Sequence, residues 1–389
     1  MVNKELFDIA VEKFKGHFAT DHKVAAYAPG RVEVLGNHTD YNEGYVLSAA
    51  INLGTFFIAA PSGDAICRIY APDVEEETSF DIKTIAPSSQ QRWSNYVKGV
   101  ISGLSKLGKI KNGFNGVLLS NIPLGVGLSS SAALEISSGL ALAELYGIKV
   151  KKLDLAKIGQ AAEHQYAGVK CGLLDQISSL FGRENELVMT DFRSLKVENV
   201  PLGKNACFLM CNTAVKHALL DGEYNERRAK CEEATKLFTS MLSHPVSTLR
   251  DVSWQEWEKY SQKMDPLTAR RAAHPIGEDE RVLKGRELLA KGNLEEFGKL
   301  MFESHKSSQK YFENSCLELD TIVGEAENIP GIMGARLTGG GFGGSVVVLI
   351  HPRDVEIATK AISEAYKKRH NHTCDIRVIK PSSGASVIK

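Results

Sequence analysis

GRVEVLGNHTDYNEG, residues 30–44, sets the problem that this chain poses. Arg31, Glu33, His38, Asp40 and Glu43 stand among glycines and asparagines that read as turns, with Val32, Val34 and Leu35 alongside. A buried strand has no reason to carry so many polar groups, and a solvated loop has no reason to carry a strand. A segment that does both is built to hold something, and Asn37 sits in the middle of it.

The rest of the chain limits what that can be. Its 389 residues suit two compact domains. The apolar share of 43% and charged share of 24% are those of an ordinary soluble globular protein. Lys+Arg and Asp+Glu both number 47, so net charge supports neither nucleic acid nor a membrane surface as the main partner. Apolar runs such as VVVLI at 346–350 fall far short of a membrane span. The opening MVNKELFDIAVEKFKGHF mixes charge and apolar residues at helical spacing, which predicts an amphipathic helix and not a signal peptide. Seven scattered cysteines with no CxxC pair predict reduced thiols and a cytoplasmic location.

Short β-rich runs follow the first helix: KVAAYAPG, RVEVLG, YVLSAAI, GTFFIAA and CRIYAP. A helix is expected at SNYVKGVISGLSKLG, a strand at GFNGVLLS, and mainly helices from about 130 to 182. The strand pattern restarts at NACFLMCNTAV, then come a charged helix, YNERRAKCEEATKLF, and several helices over 245–325. Two strands flanking a glycine cluster, a helix and a last strand, CDIRVIK, complete the pattern. The domain boundary is placed near 200, giving domains of 1–200 and 201–389, with the last strand a candidate to return to the first.

Three more segments carry chemistry. In NIPLGVGLSSSAALEISSGLALAELYG, 121–147, a turn with Gly125 and Gly127 leads through Ser129, Ser130 and Ser131 into a long helix. Free N–H groups and the dipole at a helix start suit a phosphate, yet the same residues also describe a serine-capped helix after a tight turn. No GK[ST] follows, so it is not a Walker loop. LTGGGFGGSVVVLI, 337–350, contains a formal G-x-G-x-x-G, but a β-branched strand follows it where a dinucleotide fold needs a helix. A glycine hairpin lying close to another backbone or a ligand is expected there. In AEHQYAGVKCGLLDQISSLFG, 162–182, Glu163 closes one helix and Asp175 opens the next, among leucines and isoleucine. Such a carboxylate needs a partner or a function, or is a solvated acid at a helix start.

Taken in order, GRVxxxGxHTDYxxG, PxGxGLSSSA and the GGGFGG hairpin resemble the GHMP small-molecule kinases and, within them, the galactokinases. CGLLDQ, NTAVKHALLDGEYNERRAKCEEA and ESHKSSQKYFENSCLELDTIV extend the resemblance, which runs from about 25 to 350. It implies an α+β, two-domain GHMP kinase fold, with an N-terminal domain like ribosomal protein S5, a ferredoxin-like C-terminal domain and the active site between them. It implies transfer of the ATP γ-phosphoryl group to the anomeric hydroxyl of galactose or a close relative.

By the same resemblance, Asp175 is the general base or hydrogen-bond acceptor on the C1 hydroxyl. Arg31 lies beside it, keeps it ionised and stabilises negative charge in the transition state. Gly125, Gly127, Ser129 and Ser130 wrap the phosphates, and Ser131 and Glu163 hold Mg²⁺. Asn37, His38, Asp40, Gly172 and Tyr224 meet the sugar. Residues 338–344 shape the floor of the site, while His274 and His305 are structural. The partners implied are a small sugar and ATP, with no nucleic acid or membrane, and a monomer or weak oligomer.

Two residues depart from the family pattern. Glutamate is usual where Asn37 stands, at the sugar's C6 end, and a small polar residue is usual where Glu33 stands. Loss of the charge at 37 weakens a hydrogen bond to O6 and no longer repels a carboxylate there. A sugar altered at C6, such as galacturonate or a 6-deoxy sugar, is therefore an alternative substrate. A galactose- and ATP-binding sensor without catalysis is the rival from another class, although Arg31, Asp175 and the serines are all in place. Nothing in the sequence accounts for Glu33.

Overall fold

The computed structural model describes residues 3–123, 125–216 and 220–388; His217 to Leu219, inside one of the kinase-like stretches, lie outside the described residues. Its elements are, in order, α1 (Lys4–Phe18), β1 (Val24–Leu35), β2 (Tyr45–Pro61), β3 (Ile66–Ala71), β4 (Glu76–Asp81), α2 (Ser94–Leu104), β5 (Phe114–Ser120), α3 (Ser130–Tyr146), α4 (Lys152–Ala162), α5 (Leu174–Phe181), β6 (Glu186–Asp191), β7 (Lys196–Pro201), β8 (Cys207–Lys216), α6 (Leu220–Met241), α7 (Trp254–Tyr260), α8 (Pro266–Ala290), α9 (Leu294–Ser307), α10 (Leu317–Ala326), β9 (Ile332–Thr338), β10 (Gly343–Ile350), α11 (Val355–His370), β11 (Asp375–Ile379) and β12 (Ser386–Ile388).

They fall into two compact units. The first takes the described residues of 1–31, 50–184 and 382–389, and the second takes 32–49 and 185–381. The limits at 31/32 and 49/50 fall inside β1 and β2, where no turn residue marks them. Residues 32–49 and 185–200 thus belong with the second unit, and the last eight residues with the first.

In the first unit the strands follow the order β12-β1-β2-β5-β3-β4. β12 pairs antiparallel with β1, Ala25 opposite Ile388, and β3 runs parallel to β5. The run FFIAA in β2 is apolar throughout because both faces of the strand are buried. Phe57 and Ala59 join one core with Val97, Val100, Leu104 and Leu142, while Phe56 and Ile58 join another with Ala10 and Phe14 of α1. Each such aromatic contributes roughly 1.5–3 kcal/mol through its burial. Helix α3 has no polar face because Ala132 to Gly139 and Ala141 to Ala143 are all buried.

In the second unit β11-β8-β10-β9 form an antiparallel sheet. Val346, Val348 and Ile350 of β10 pack with Leu319 and Ile322 of α10 and Ile362 and Tyr366 of α11. Helix α9 lies on β9 at backbone distance: a Cβ on Gly298 would stand 2.0 Å from the Met333 carbonyl, so only glycine permits that approach. The expected group of helices over 245–325 includes α8, one 25-residue helix that runs through Pro275. Proline there removes one helical hydrogen bond, and the buried surroundings from Ala272 to Asp279 hold the helix together despite it. Strands β6 and β7 were not expected; they pair with each other, and β6 also pairs with Tyr45 to Ser48 of β2. Among the described residues no helix is long and apolar enough to cross a membrane.

Candidate active site

In the first unit, β1 carries Arg31 in mid-strand against the turn that precedes α3. The Arg31 backbone N–H donates to the Leu128 carbonyl (3.1 Å), and a Cβ on Gly30 would stand 2.4 Å from that same oxygen. The glycine therefore lets strand and turn touch. Arg31 then donates from Nε and Nη2 to Asp175 Oδ1, at 2.8 and 2.7 Å, and from Nη1 to the Gly127 carbonyl at 2.7 Å. Asp175 sits in the first turn of α5, and its second oxygen, Oδ2, accepts from Ser129 Oγ. Both side chains remain reachable from solvent, 11% exposed for Arg31 and 22% for Asp175. The charge pair is thus neither buried away nor loosely solvated.

Ser129 occupies the N-cap position of α3 in the left-handed conformation, φ 57°, and its side chain makes no capping bond. The hydroxyl that a cap would use is spent on Asp175, and the left-handed backbone carries a strain of the kind found at functional sites. Gly125 and Gly127 both have positive φ, 74° and 80°, which bends the turn in front of the helix. Ser130 and Ser131 open α3, and Ser131 Oγ donates to Glu163 Oε1 at 3.0 Å. Glu163 follows α4 at the start of a π-helical turn, Glu163–Ala167. Burial raises its pKa, and the neighbouring Asp175 charge adds to the rise.

Two neighbours escaped the sequence reading. Glu135, fully buried in α3, accepts from Gln176 Nε2 at 2.9 Å; burial first, then the Glu163 charge, push its pKa well up. An acid in an apolar helix was its only signal. Cys171 has its carbonyl held by Gln160 Nε2 (3.1 Å) and His164 Nε2 (2.9 Å), which fixes the loop just before Gly172. The first unit also holds a cavity of about 290 Å³, walled by Val74, Trp93, Tyr96, Leu118 and Leu134 together with Ser130 and Ser131. No motif announced its aromatic wall.

In the second unit the turn after β1 is fixed by buried polar contacts. Gly36 has φ 100°, and a Cβ on it would meet the Tyr45 carbonyl at 2.4 Å. Glu278 Oε2 accepts the N–H groups of Gly36 and Asn37, at 3.0 and 2.9 Å. Burial alone would raise the Glu278 pKa, but Arg281, His274 and Arg336 with the Asn37 N–H outweigh it and hold it low. Asn37 donates to Glu33 Oε1 (2.9 Å) and to the Gly339 carbonyl (2.8 Å).

His38 is a non-glycine residue at φ 61°, with Nδ1 3.0 Å from the Tyr41 hydroxyl and Nε2 3.4 Å from the Gly340 carbonyl. Its ring packs on those of Tyr224 and Phe312, with centroids 5.2 and 4.5 Å away. Burial holds its pKa down at about 4, so the ring is neutral at pH 7. Asp40 opens the 3₁₀ turn that follows, half-buried. The structure thus gathers His38, Tyr224 and the neighbourhood of Asn37 in one unit, and Arg31, Asp175, Ser129, Ser131 and Glu163 in the other. The hairpin beyond Thr338 is pressed on Asn314, whose carbonyl accepts from the Phe342 N–H at 2.6 Å and would meet a Cβ on Gly341 at 2.1 Å. His274 bonds Ser307 (2.9 Å) and His305 bonds Asp320 (3.1 Å), and both rings are buried.

Comparison with known proteins identifies the family. Residues 95–183 match the GHMP kinase N-terminal domain, 12–61 the galactokinase galactose-binding signature, and 286–368 the GHMP kinase C-terminal domain. The chain is 39% identical to a galactokinase of Haemophilus influenzae over 95% of its own length and 97% of the relative's. It is 37% identical to a galactokinase of Chloroflexus aurantiacus, with 97% and 96% covered. The crystal structure of Lactococcus lactis galactokinase complexed with galactose superposes with a TM-score of 0.91 at 33% identity, covering 98% of this chain and 99% of that one. Methanococcus jannaschii mevalonate kinase, at 20% identity and a TM-score of 0.64, shares the fold over 93% and 99% of the two chains. With its α+β units, its GHMP domains and full-length similarity of this degree, the chain belongs to the galactokinase family of GHMP kinases.

Proposed function

We propose that the chain transfers the γ-phosphoryl group of ATP to the anomeric hydroxyl of galactose. The observation that carries this reading is the Arg31–Asp175–Ser129 arrangement, in a chain that also bears a galactose-binding signature. The relatives favour galactose over a C6-altered sugar and an enzyme over a sensor.

Phosphoryl transfer asks a protein for positioning and charge stabilisation more than for covalent chemistry. Asp175 accepts the proton of the C1 hydroxyl. Arg31 takes both lone pairs of Oδ1 and Ser129 one of Oδ2, so the carboxylate cannot rotate and its one remaining lone pair, on Oδ2, points in a fixed direction. Arg31, anchored to Gly127 and Asp175, sets its positive charge where the transferred group gains negative charge. The free N–H groups of the Gly125–Ser131 turn and helix start bind the phosphate chain. The nucleotide base occupies the cavity beside Trp93 and Tyr96.

Mg²⁺ is the expected companion of ATP. Ser131 and Glu163 fit it: two adjacent hard oxygen donors are too few for an all-protein cage but suit an ion that keeps waters and phosphate oxygens. When bound, the ion neutralises charge on the phosphates. Asn37, His38, Asp40, Tyr224 and Gly172 orient the sugar, His38 as a neutral ring. We place the reaction in the cytoplasm, with the chain a monomer or weak oligomer that meets neither nucleic acid nor membrane.

A coupled assay of ADP release across a panel of sugars tests the reading. Galactose is expected to be turned over best; binding of galactose without ADP release would reject it.

A further inference from the structure

The second unit contains a buried polar chain that the sugar ligands alone do not explain. Arg336 in β9 is fully buried. Its Nη1 donates to Glu33 Oε1 at 3.0 Å and its Nε to Ser304 Oγ at 2.9 Å. A buried guanidinium demands a carboxylate, and Glu33, itself 5% exposed, supplies it. The same Glu33 oxygen accepts from Asn37 Nδ2 (2.9 Å). Asn314 Nδ2 closes the chain by donating to Asn37 Oδ1 (3.1 Å) and to the Gly340 carbonyl (3.3 Å).

This network decides which way the Asn37 amide faces. Amide oxygen and nitrogen are told apart by their partners. A carboxylate and a backbone carbonyl can only accept, so the group facing Glu33 and Gly339 is the NH₂. Both N–H bonds are thereby used. The oxygen holds one bond, from Asn314, which leaves a single Oδ1 lone pair as the unused hydrogen-bonding capacity of this side chain.

We propose that Glu33, fixed by Arg336, is a positioning residue that turns Asn37 so that it meets the sugar only as a hydrogen-bond acceptor, selecting a hydroxyl over a carboxylate at the sugar's C6 end. The proposal rests on the reading of Asn37 as a sugar ligand. It reverses the expectation raised by the missing charge at 37. A C6 carboxylate brings only acceptors to an acceptor, whereas a hydroxyl brings the donor that the lone pair needs. A second consequence is that residues 33 and 37 share one negative charge. A glutamate at 37 would stand against Glu33 over a single arginine, so it is tolerated only when 33 is neutral.

Wild type, E33Q, N37E and E33Q/N37E are compared by thermal melting, by calorimetric binding of galactose, and by kcat and KM for galactose, galacturonate and ATP. N37E is expected to melt lower than wild type and to lose roughly 100-fold in galactose affinity, with the KM for ATP unchanged. E33Q/N37E is expected to recover most of both losses, and wild type to prefer galactose over galacturonate by roughly 100-fold or more. The proposal is overturned if the double variant is no better than N37E in melting and binding, or if wild type takes galacturonate as well as galactose. Melting and binding do not need turnover. An inactive wild type that still shows the coupling would therefore sink the kinase reading and leave the charge-sharing intact. Coupling in melting without any change in galactose binding would confine the network to the fold and end its role in recognition.

Discussion

Replacing Asp175 by asparagine removes the proton acceptor while sparing the architecture, and the structure says why. Asp175 receives Arg31 on Oδ1 and Ser129 on Oδ2. An asparagine with its oxygen toward Arg31 turns its NH₂ toward Ser129, whose hydroxyl can accept as readily as it donates. Arg31 keeps its bond to Gly127. The ion pair becomes a charged–neutral contact, costing on the order of 1–2 kcal/mol, so the variant is expected to fold and to melt only a few degrees lower. The chemical step fares differently. Loss of a positioned base lowers kcat by roughly 10²–10⁴-fold, equivalent to about 3–5 kcal/mol in the barrier. Steady-state ADP release at saturating galactose reads kcat, and titration of ATP reads its KM, which is expected to move less than about threefold because no phosphate contact changes. A kcat within about tenfold of wild type would remove Asp175 from proton transfer. A rise in the ATP KM matching the fall in kcat would reassign it to nucleotide binding.

Three further outcomes follow from the site. Glu163→Gln keeps the hydrogen bond from Ser131 but gives up a hard anionic oxygen, so the Mg²⁺ concentration for half-maximal rate should rise roughly tenfold or more, and an unchanged value would exclude Glu163 as a ligand. Trp93→Ala takes away part of the cavity wall; the KM for ATP should rise about tenfold with the KM for galactose steady, and the reverse pattern would move the base elsewhere. His38 is held at about 4 against an ordinary 6.5, so the unfolded chain takes up a proton that the folded chain refuses. Its contribution to stability is lost as pH falls below about 6.5, amounting to about 2 kcal/mol by pH 5. Asp279, raised by burial to about 7, acts in the opposite sense and gains stability over the same fall. The test is therefore the difference between wild type and His38→Asn in urea unfolding at pH 7.5 and pH 5. A pH-independent difference would refute the neutral, buried imidazole.

Much of the candidate site is legible in the sequence because glycine and serine mark a tight turn at a helix start, and because an arginine in a strand and an aspartate after a glycine stand out beside apolar neighbours. Ser129 shows the limit of that reading. A serine before a helix is ambiguous between a cap and a ligand, and only the third dimension shows its hydroxyl on Asp175, 46 positions away. Glu33 was opaque for the same reason: its explanation is Arg336, 303 residues further along the chain. The division into units was hidden because it cuts β1 and β2 in mid-strand, where the sequence has no breaker. Strands β6 and β7 are only six residues each; β6 offers a short apolar run, Leu187 to Met189, and β7 exposes Lys196, Glu198 and Pro201, so neither stands out as a core strand. Pro275 is a case of the opposite kind, since a proline ordinarily ends a helix and here a buried one continues.

The proposed reaction places phosphate on the anomeric oxygen of galactose. Phosphorus and proton NMR of the products from galactose and ATP reads that position without a coupled enzyme. The expected product is a sugar monophosphate whose phosphorus couples to the anomeric proton. Coupling to the C6 protons, or ADP formed with no sugar phosphate, would contradict it.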